Sequence, residues 1–175
     1  MTVKAPGPDE VLAMDRMEDP VAASFCRVMR LKRLYRQGWL KRAIPEAACE
    51  SVADHSFGVA MLALLAPCPE GVDRNRAAVM ALIHELGETY AGDITPVDGI
   101  PPEQKSRLER EALARALEGH PELDLWMALW EDFEYGKSPE ARFVRQLDRL
   151  EMGFQAAVHR AEGSSAMGEF ISFLI

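Results

Sequence analysis

Three cysteines, Cys26, Cys49 and Cys68, are all that this chain of 175 residues contains. Their odd number and the lack of CxxC or CxxH spacing argue against a disulfide framework and fit a reducing compartment. Long apolar runs are missing too, and none approaches the roughly 18 residues of a membrane span. The first twenty residues carry Pro6, Pro8, Asp9, Glu10, Asp15 and Glu18 where a signal peptide needs an apolar stretch. The expectation is a soluble protein of the cytoplasm, with no membrane partner. Positive charge is in deficit, 20 Lys and Arg against 28 Asp and Glu, for a formal net charge of −8. That speaks against a nonspecific nucleic-acid binder, and an anionic small molecule would need a local exception. Repeats, low-complexity tracts and Gly/Ser linkers are also lacking. With 48% hydrophobic and 27% charged residues, one globular domain over residues 1–175 is expected, its core within about 19–161.

What is present is helical pattern. Apolar residues recur at spacings of three and four, Ala, Leu, Glu, Arg and Met dominate, and β-branched runs do not occur. This predicts an all-α bundle of about six helices: Asp19 to Arg36, Ser51 to Ala66, Asp73 to Thr89, Pro102 to Glu118, Pro121 to Glu134 and Ser138 to Ala161. Ser51 with Asp54 resembles a capping box. Asp73 and Ser138 suit N-caps, Pro139 suits a first helical position, and Gly119 and Gly136 follow helix ends. Loops are expected around Ile44 to Cys49 and Gly92 to Pro102.

Ionisable groups fall on stripes that should face the core. Val52, His55, Val59 and Leu62 share one face of the second helix, which turns His55 inward. On the third, Ala77, Met80, Ala81, His84, Glu85 and Glu88 form a stripe that begins apolar and ends in an imidazole and two carboxylates. On the last, Asp148 lies among Ala141, Val144, Met152 and Gln155. Each has a bland explanation: a hydrogen-bonded core histidine, a helix end emerging into solvent, a salt bridge from Asp148 to Arg145 or Arg149. Taken together, buried carboxylates and imidazoles ask for a counter-charge. His55, His84, Glu85 and Asp148 make a mixed nitrogen and oxygen donor set for one divalent metal, Co, Mn, Fe, Ni or Zn. His120, beside Gly119 and Pro121, adds little support for a histidine-rich dinuclear cage.

Glu88, one turn beyond His84, and Asp93, in the loop Ala91 to Pro96, are candidates to position an attacking water or protonate a leaving alkoxide. From Arg27 to Arg42 seven basic residues occur without an acidic one, with Trp39 in the turn. This segment is either a solvated helix face or a cradle for a phosphate and a base, with Arg36, Trp39 and Arg42 the best-placed residues.

The order of these residues resembles the HD-domain metal-dependent phosphohydrolases, more narrowly their 5′-deoxynucleotidase branch. The similar stretches are Leu31-Lys32, Arg36 to Trp39, Glu50 to Ser56, Ala81 to Glu88, Gly92 to Pro96, Leu129 to Glu131, Glu140 to Asp148, Glu151-Met152 and Gln155-Ala156. The resemblance implies a helical HD fold, removal of phosphate from nucleoside 5′-monophosphates with a divalent metal, and a homodimer. It implies His55, His84 and Asp148 as metal ligands, with Glu85 standing where the family has its signature Asp. Glu88 and Asp93 match catalytic acids that in some relatives hold a second, weaker cation such as Mg. Arg36, Trp39 and Arg42 fall in the nucleotide-binding region. Glu85 adds a methylene, and a misplacement near an ångström can cost about a hundredfold in rate. A weakened scaffold serving as a nucleotide or metal sensor is therefore the alternative, and a purely structural bundle the third reading. The apolar stretch Phe170 to Ile175 suits either a partner subunit or the chain's own core.

Overall fold

The computed structural model describes residues 17–165 and 167–172, and these form helices and turns. The acidic stretch up to Asp15 and the tail residues Phe173 to Ile175 lie outside them. Among the described residues nine α-helices follow in order: α1 (Pro20–Val28), α2 (Gln37–Leu40), α3 (Val52–Leu65), α4 (Arg74–Ile83), α5 (Glu88–Ala91), α6 (Pro102–Ala116), α7 (Leu123–Tyr135), α8 (Pro139–Ala161) and α9 (Gly168–Ile171). Among the described residues the only β pairing is a bridge between Tyr35 and Ser51. No described helix is long and apolar enough to cross a membrane.

The capping pattern is realised in space. Ser51 and Asp54 form a reciprocal capping box at the start of α3, Asp73 accepts from the N–H groups of Asn75 and Arg76, and Ser138 accepts from Ala141 ahead of Pro139. Each satisfies donors that a helix start leaves without partners. Gly136 ends α7 in the left-handed conformation, at φ 61°.

Two expected helices are interrupted. The first ends at Val28 and continues only as a 3-10 turn, Met29–Lys32. Leu34 to Arg36 are instead drawn into pairing with the chain before α3: Arg36 N–H donates to Glu50 O at 3.1 Å and Val52 N–H to Leu34 O at 2.9 Å. This tertiary pairing overrides the helix propensity of the segment. The helix expected over Asp73 to Thr89 breaks after Ile83 and resumes as α5. Through the break the hydrogen bonds tighten to the i+3 pattern, with Leu86 N–H to Ile83 O and Glu88 N–H to Glu85 O. Gly87 allows this segment to lie against α6, where a Cβ would come within 2.7 Å of Glu109 Cβ.

α3, α4 and α8 pack on one another, and α5 packs on α6. The main core contains Val52, Val59, Met80, Leu113, Trp130 and Val144. A smaller cluster of Tyr35, Trp39, Ile44, Cys49, Ala156 and Met167 joins the α2 turn to the end of α8. The candidate site lies where the first core meets the second.

Candidate active site

Three helices bring the ionisable residues together. α3 carries His55, the break after α4 carries His84 and Glu85, and α8 carries Asp148. His55 and His84 are buried, 0% and 3% exposed. His84 Nδ1 lies 2.7 Å from Ala81 O, and Trp130 Nε1–H donates to the carbonyl of His84 at 3.1 Å. The tightened turn is thus pinned at both its ring and its backbone. Nε2 of each imidazole is buried without a hydrogen-bond partner. His55 Nε2 is 3.1 Å from Asp148 Oδ1 and 3.8 Å from Glu85 Oε1, and His84 Nε2 is 3.5 Å from Glu85 Oε1. The Asp148 contact has the distance of an ion pair without the alignment of a hydrogen bond. Ligand atoms of His55, His84 and Asp148 fall within 4.8 Å of one another, and Glu85 stands beside them. Two orphaned nitrogens facing a carboxylate fit the donor set expected for a divalent cation.

Above this floor opens a cleft of about 740 Å³. Charged side chains, Glu85, Glu88, Asp93, Asp148, Arg36 and Lys105 with Arg42 and Glu169, line it together with the apolar Ile94, Pro96, Val97, Met152 and Phe170. Arg36 is the hub of the charged group, with Nη1 3.4 Å from Glu85 Oε1 and 3.5 Å from Asp93 Oδ1. Burial opposes its charge, but Asp93, Glu85, Glu88 and Asp148 outweigh burial and strengthen the guanidinium's hold on its proton. Asp93 also accepts the backbone N–H of Gln37 at 2.6 Å, so it ties the loop after α5 to the start of α2.

The carboxylates divide by environment. Burial pushes Asp148 up, yet the close contact with His55 and the charges of His55, His84 and Arg36 prevail and hold it at about 2. Glu85 likewise falls below the usual range despite burial, through His84, Arg36 and His55. Glu88 goes the other way: burial first, then the negative charges of Glu85 and Asp93, raise it well above an ordinary carboxyl, and its Oε2 has no hydrogen-bond partner. Burial lowers His84. His55 is opposed by burial and by Arg36, but Asp148 and Glu151 raise it to about 9.

The basic segment divides as well. Arg27 donates to Glu118 O, Arg30 to Thr89 O, and Lys41 to Asp98 and Thr95. Of the segment, Arg36, Gly38, Trp39 and Arg42 line the cleft. Trp39 is 3% exposed, packed edge-on by His159 and Phe170 at centroid distances of 5.3 and 4.9 Å, with Nε1–H donating to Glu50 at 2.7 Å. Its indole forms part of the cleft wall. Arg42 donates to Gly38 O, pairs with Glu169 and covers the Phe170 ring at 4.6 Å. Phe170 thus docks on its own chain. Asp148 is drawn to His55, while Arg145 stacks on Phe133. His120 lies apart, accepting from Glu122 N–H.

Sequence reasoning missed Lys105, which reaches the cleft from α6 and pairs with Glu109 at 2.5 Å. Burial raises Glu109 to about 7 even against that pairing. A charged Glu109 on an amphipathic helix looks like ordinary solvated surface in sequence; only the close approach of Gly87 reveals otherwise.

The HD domain family matches residues 28–174. The 5′-deoxynucleotidase HDDC2 of Bos taurus is 41% identical over 137 residues, 76% of this chain, and the alignment spans 65% of that protein's length. The human protein of the same name is 40% identical over 137 residues, 76% of this chain and 65% of its own. The chain therefore matches just under two thirds of the length of these relatives. Among solved structures, a conserved hypothetical protein from Pyrococcus furiosus superposes with TM-score 0.72 at 30% identity, covering 86% of each chain. A structure titled predicted metal-dependent phosphohydrolase, from Magnetospirillum magnetotacticum, gives 0.65 at 30% identity, over 78% of this chain and 70% of that one. With its helical order, its paired buried imidazoles and these matches, the chain belongs to the HD domain family.

Proposed function

We propose that the protein is a metal-dependent phosphomonoesterase that hydrolyses deoxyribonucleoside or ribonucleoside 5′-monophosphates to nucleoside and phosphate. The observation that carries this reading is the pair of orphaned Nε2 atoms of His55 and His84 facing Asp148 beneath a cleft lined by both charged and apolar side chains. The names of the bovine and human relatives support the substrate class.

His55, His84 and Asp148, with Glu85 beside them, would hold the divalent cation. When bound, such a cation acts as a Lewis acid toward phosphate oxygen and brings the pKa of water toward about 7. Arg36 and Lys105 supply the positive charge that meets the phosphate, and Asp93 holds Arg36 in place. Glu88, whose carboxyl is raised well above the usual range by burial and by the charges of Glu85 and Asp93, is placed to give a proton to the departing 5′-oxygen as the P–O bond breaks and the bond from water to phosphorus forms. Ile94, Pro96, Met152 and Phe170 offer the base an apolar wall. With Glu88 deprotonated, Glu88 and Asp93 would instead offer carboxylates to a second, weaker cation such as Mg. The reach of Glu85 Oε1 to both imidazoles supports an active enzyme over a weakened sensor.

We also propose a homodimer, supported by exposed Phe57, Leu64 and Leu65 on α3 and Phe154 and Val158 on α8, to be checked by light scattering. Cytoplasmic residence is proposed from the three free cysteines. The deciding experiment is a phosphate-release assay over deoxynucleotides and ribonucleotides with Mn, Co, Fe, Ni or Zn. Turnover is expected with at least Mn or Co, and His84→Ala abolishes it. Absence of turnover with every metal and every common nucleotide overturns the proposal.

A further inference from the structure

The face of His55 turned away from the cleft is as constrained as the face turned toward it. Its Nδ1 lies 2.5 Å from Glu151 Oε2, and Glu151 is buried, 9% exposed. Glu151 follows Asp148 by three residues on α8, so one helix offers a carboxylate to each ring nitrogen. Behind them Glu50 accepts from Trp39, and ligand atoms of Glu50, His55 and Glu151 lie within 4.8 Å of one another.

A second observation comes from α3 itself. Gly58 sits in the middle of that helix, where glycine costs about 1 kcal/mol relative to alanine. A Cβ at this position would come within 2.8 Å of Glu151 Oε1 and 3.0 Å of its Cγ. The space that this glycine leaves is filled by the Glu151 side chain. His84 differs, since its Nδ1 faces the neutral carbonyl of Ala81.

We propose that Glu151 is a positioning residue for His55: seated on Gly58, it accepts the Nδ1–H, fixes the tautomer whose Nε2 lone pair faces the cleft, and strengthens that nitrogen as a donor to the cation. The inference rests on the metal site proposed above. Its charged acceptor makes His55 the stronger of the two imidazole donors.

The test titrates Mn into the chelator-stripped full chain by calorimetry, for the wild type, Glu151→Gln, Glu151→Ala and Gly58→Ala. Glu151→Gln keeps an acceptor for Nδ1–H and loses the charge, Glu151→Ala loses both, and Gly58→Ala displaces the carboxylate while every ligand stays. Mn affinity is expected to fall about 10- to 100-fold in Glu151→Ala, less in Glu151→Gln, and measurably in Gly58→Ala. Thermal unfolding of the stripped proteins separates a merely structural role, which would lower the melting temperature without this graded order in affinity. If Glu151→Ala does not fold, the other two variants decide. Variants that bind Mn within twofold of a Mn-binding wild type overturn this inference alone. A wild type that neither binds metal nor releases phosphate overturns both it and the proposed function.

Discussion

Arg36 is a buried cation holding together carboxylates that would otherwise repel, and its replacement by Met should have opposite effects on folding and on metal binding. Its Nη1 lies 3.4 and 3.5 Å from the oxygens of Glu85 and Asp93. With an effective dielectric of about 20, each contact carries roughly 5 kcal/mol of attraction. Much of this is offset by desolvation of the guanidinium, so removing one partner of so buried a group is expected to cost about 3–5 kcal/mol in the metal-free protein. The carboxylates left behind gain most from a divalent cation. The Mn-induced rise in melting temperature should therefore be larger in Arg36→Met than in the wild type, because stabilisation by a ligand grows as its dissociation constant falls. Urea unfolding of stripped protein and thermal unfolding with and without Mn measure the two effects, and the KM for nucleotide should rise independently. Metal-free stability within about 1 kcal/mol of wild type, together with an unchanged Mn shift, would refute the electrostatic account of the cleft.

Trp130→Phe removes the donor to the His84 carbonyl and leaves a void. An unsatisfied buried carbonyl costs about 1–3 kcal/mol, and urea unfolding should show at least the lower figure. Lys105→Met should raise KM for a nucleotide monophosphate more than it lowers kcat; an unchanged KM would remove Lys105 from substrate binding. Asp148 is held at about 2 against an ordinary 3.8. Its folded value is depressed, so its stabilisation is present above pH 4 and disappears as pH falls toward 2, worth about 2 kcal/mol. In metal-free protein the stability gap between the wild type and Asp148→Asn should close over that interval, and a gap constant with pH contradicts the assignment.

The helices with strong caps were readable because their signals are local. Ser51 with Asp54, Asp73, and Ser138 with Pro139 each satisfy the backbone within three residues, and nothing distant competes. His55, His84 and Asp148 were readable as polar intrusions on apolar stripes. The break after Ile83 was not, because nothing between Ala77 and Glu88 disfavours helix except Gly87, and its cause, the approach of Glu109, lies on another helix. The end of α1 was hidden for a similar reason, since pairing with Glu50 and Val52 decides it. Trp39 in a basic turn suggested an open stacking surface. Its burial depends on His159 and Phe170, more than a hundred residues away in the chain. Glu151 appeared only as a carboxylate near a known pattern, and its partner on α3 required the helix packing.

One wall of the cleft is carried by a single helical turn, α9, whose Phe170 and Glu169 grip Arg42 from beyond the end of α8. This turn packs in the smaller cluster around Trp39 and Met167 and not in the main core, so exchanging Glu169 or Phe170 would reshape this wall of the cleft while His55, His84 and Asp148 stay seated on the main-core helices.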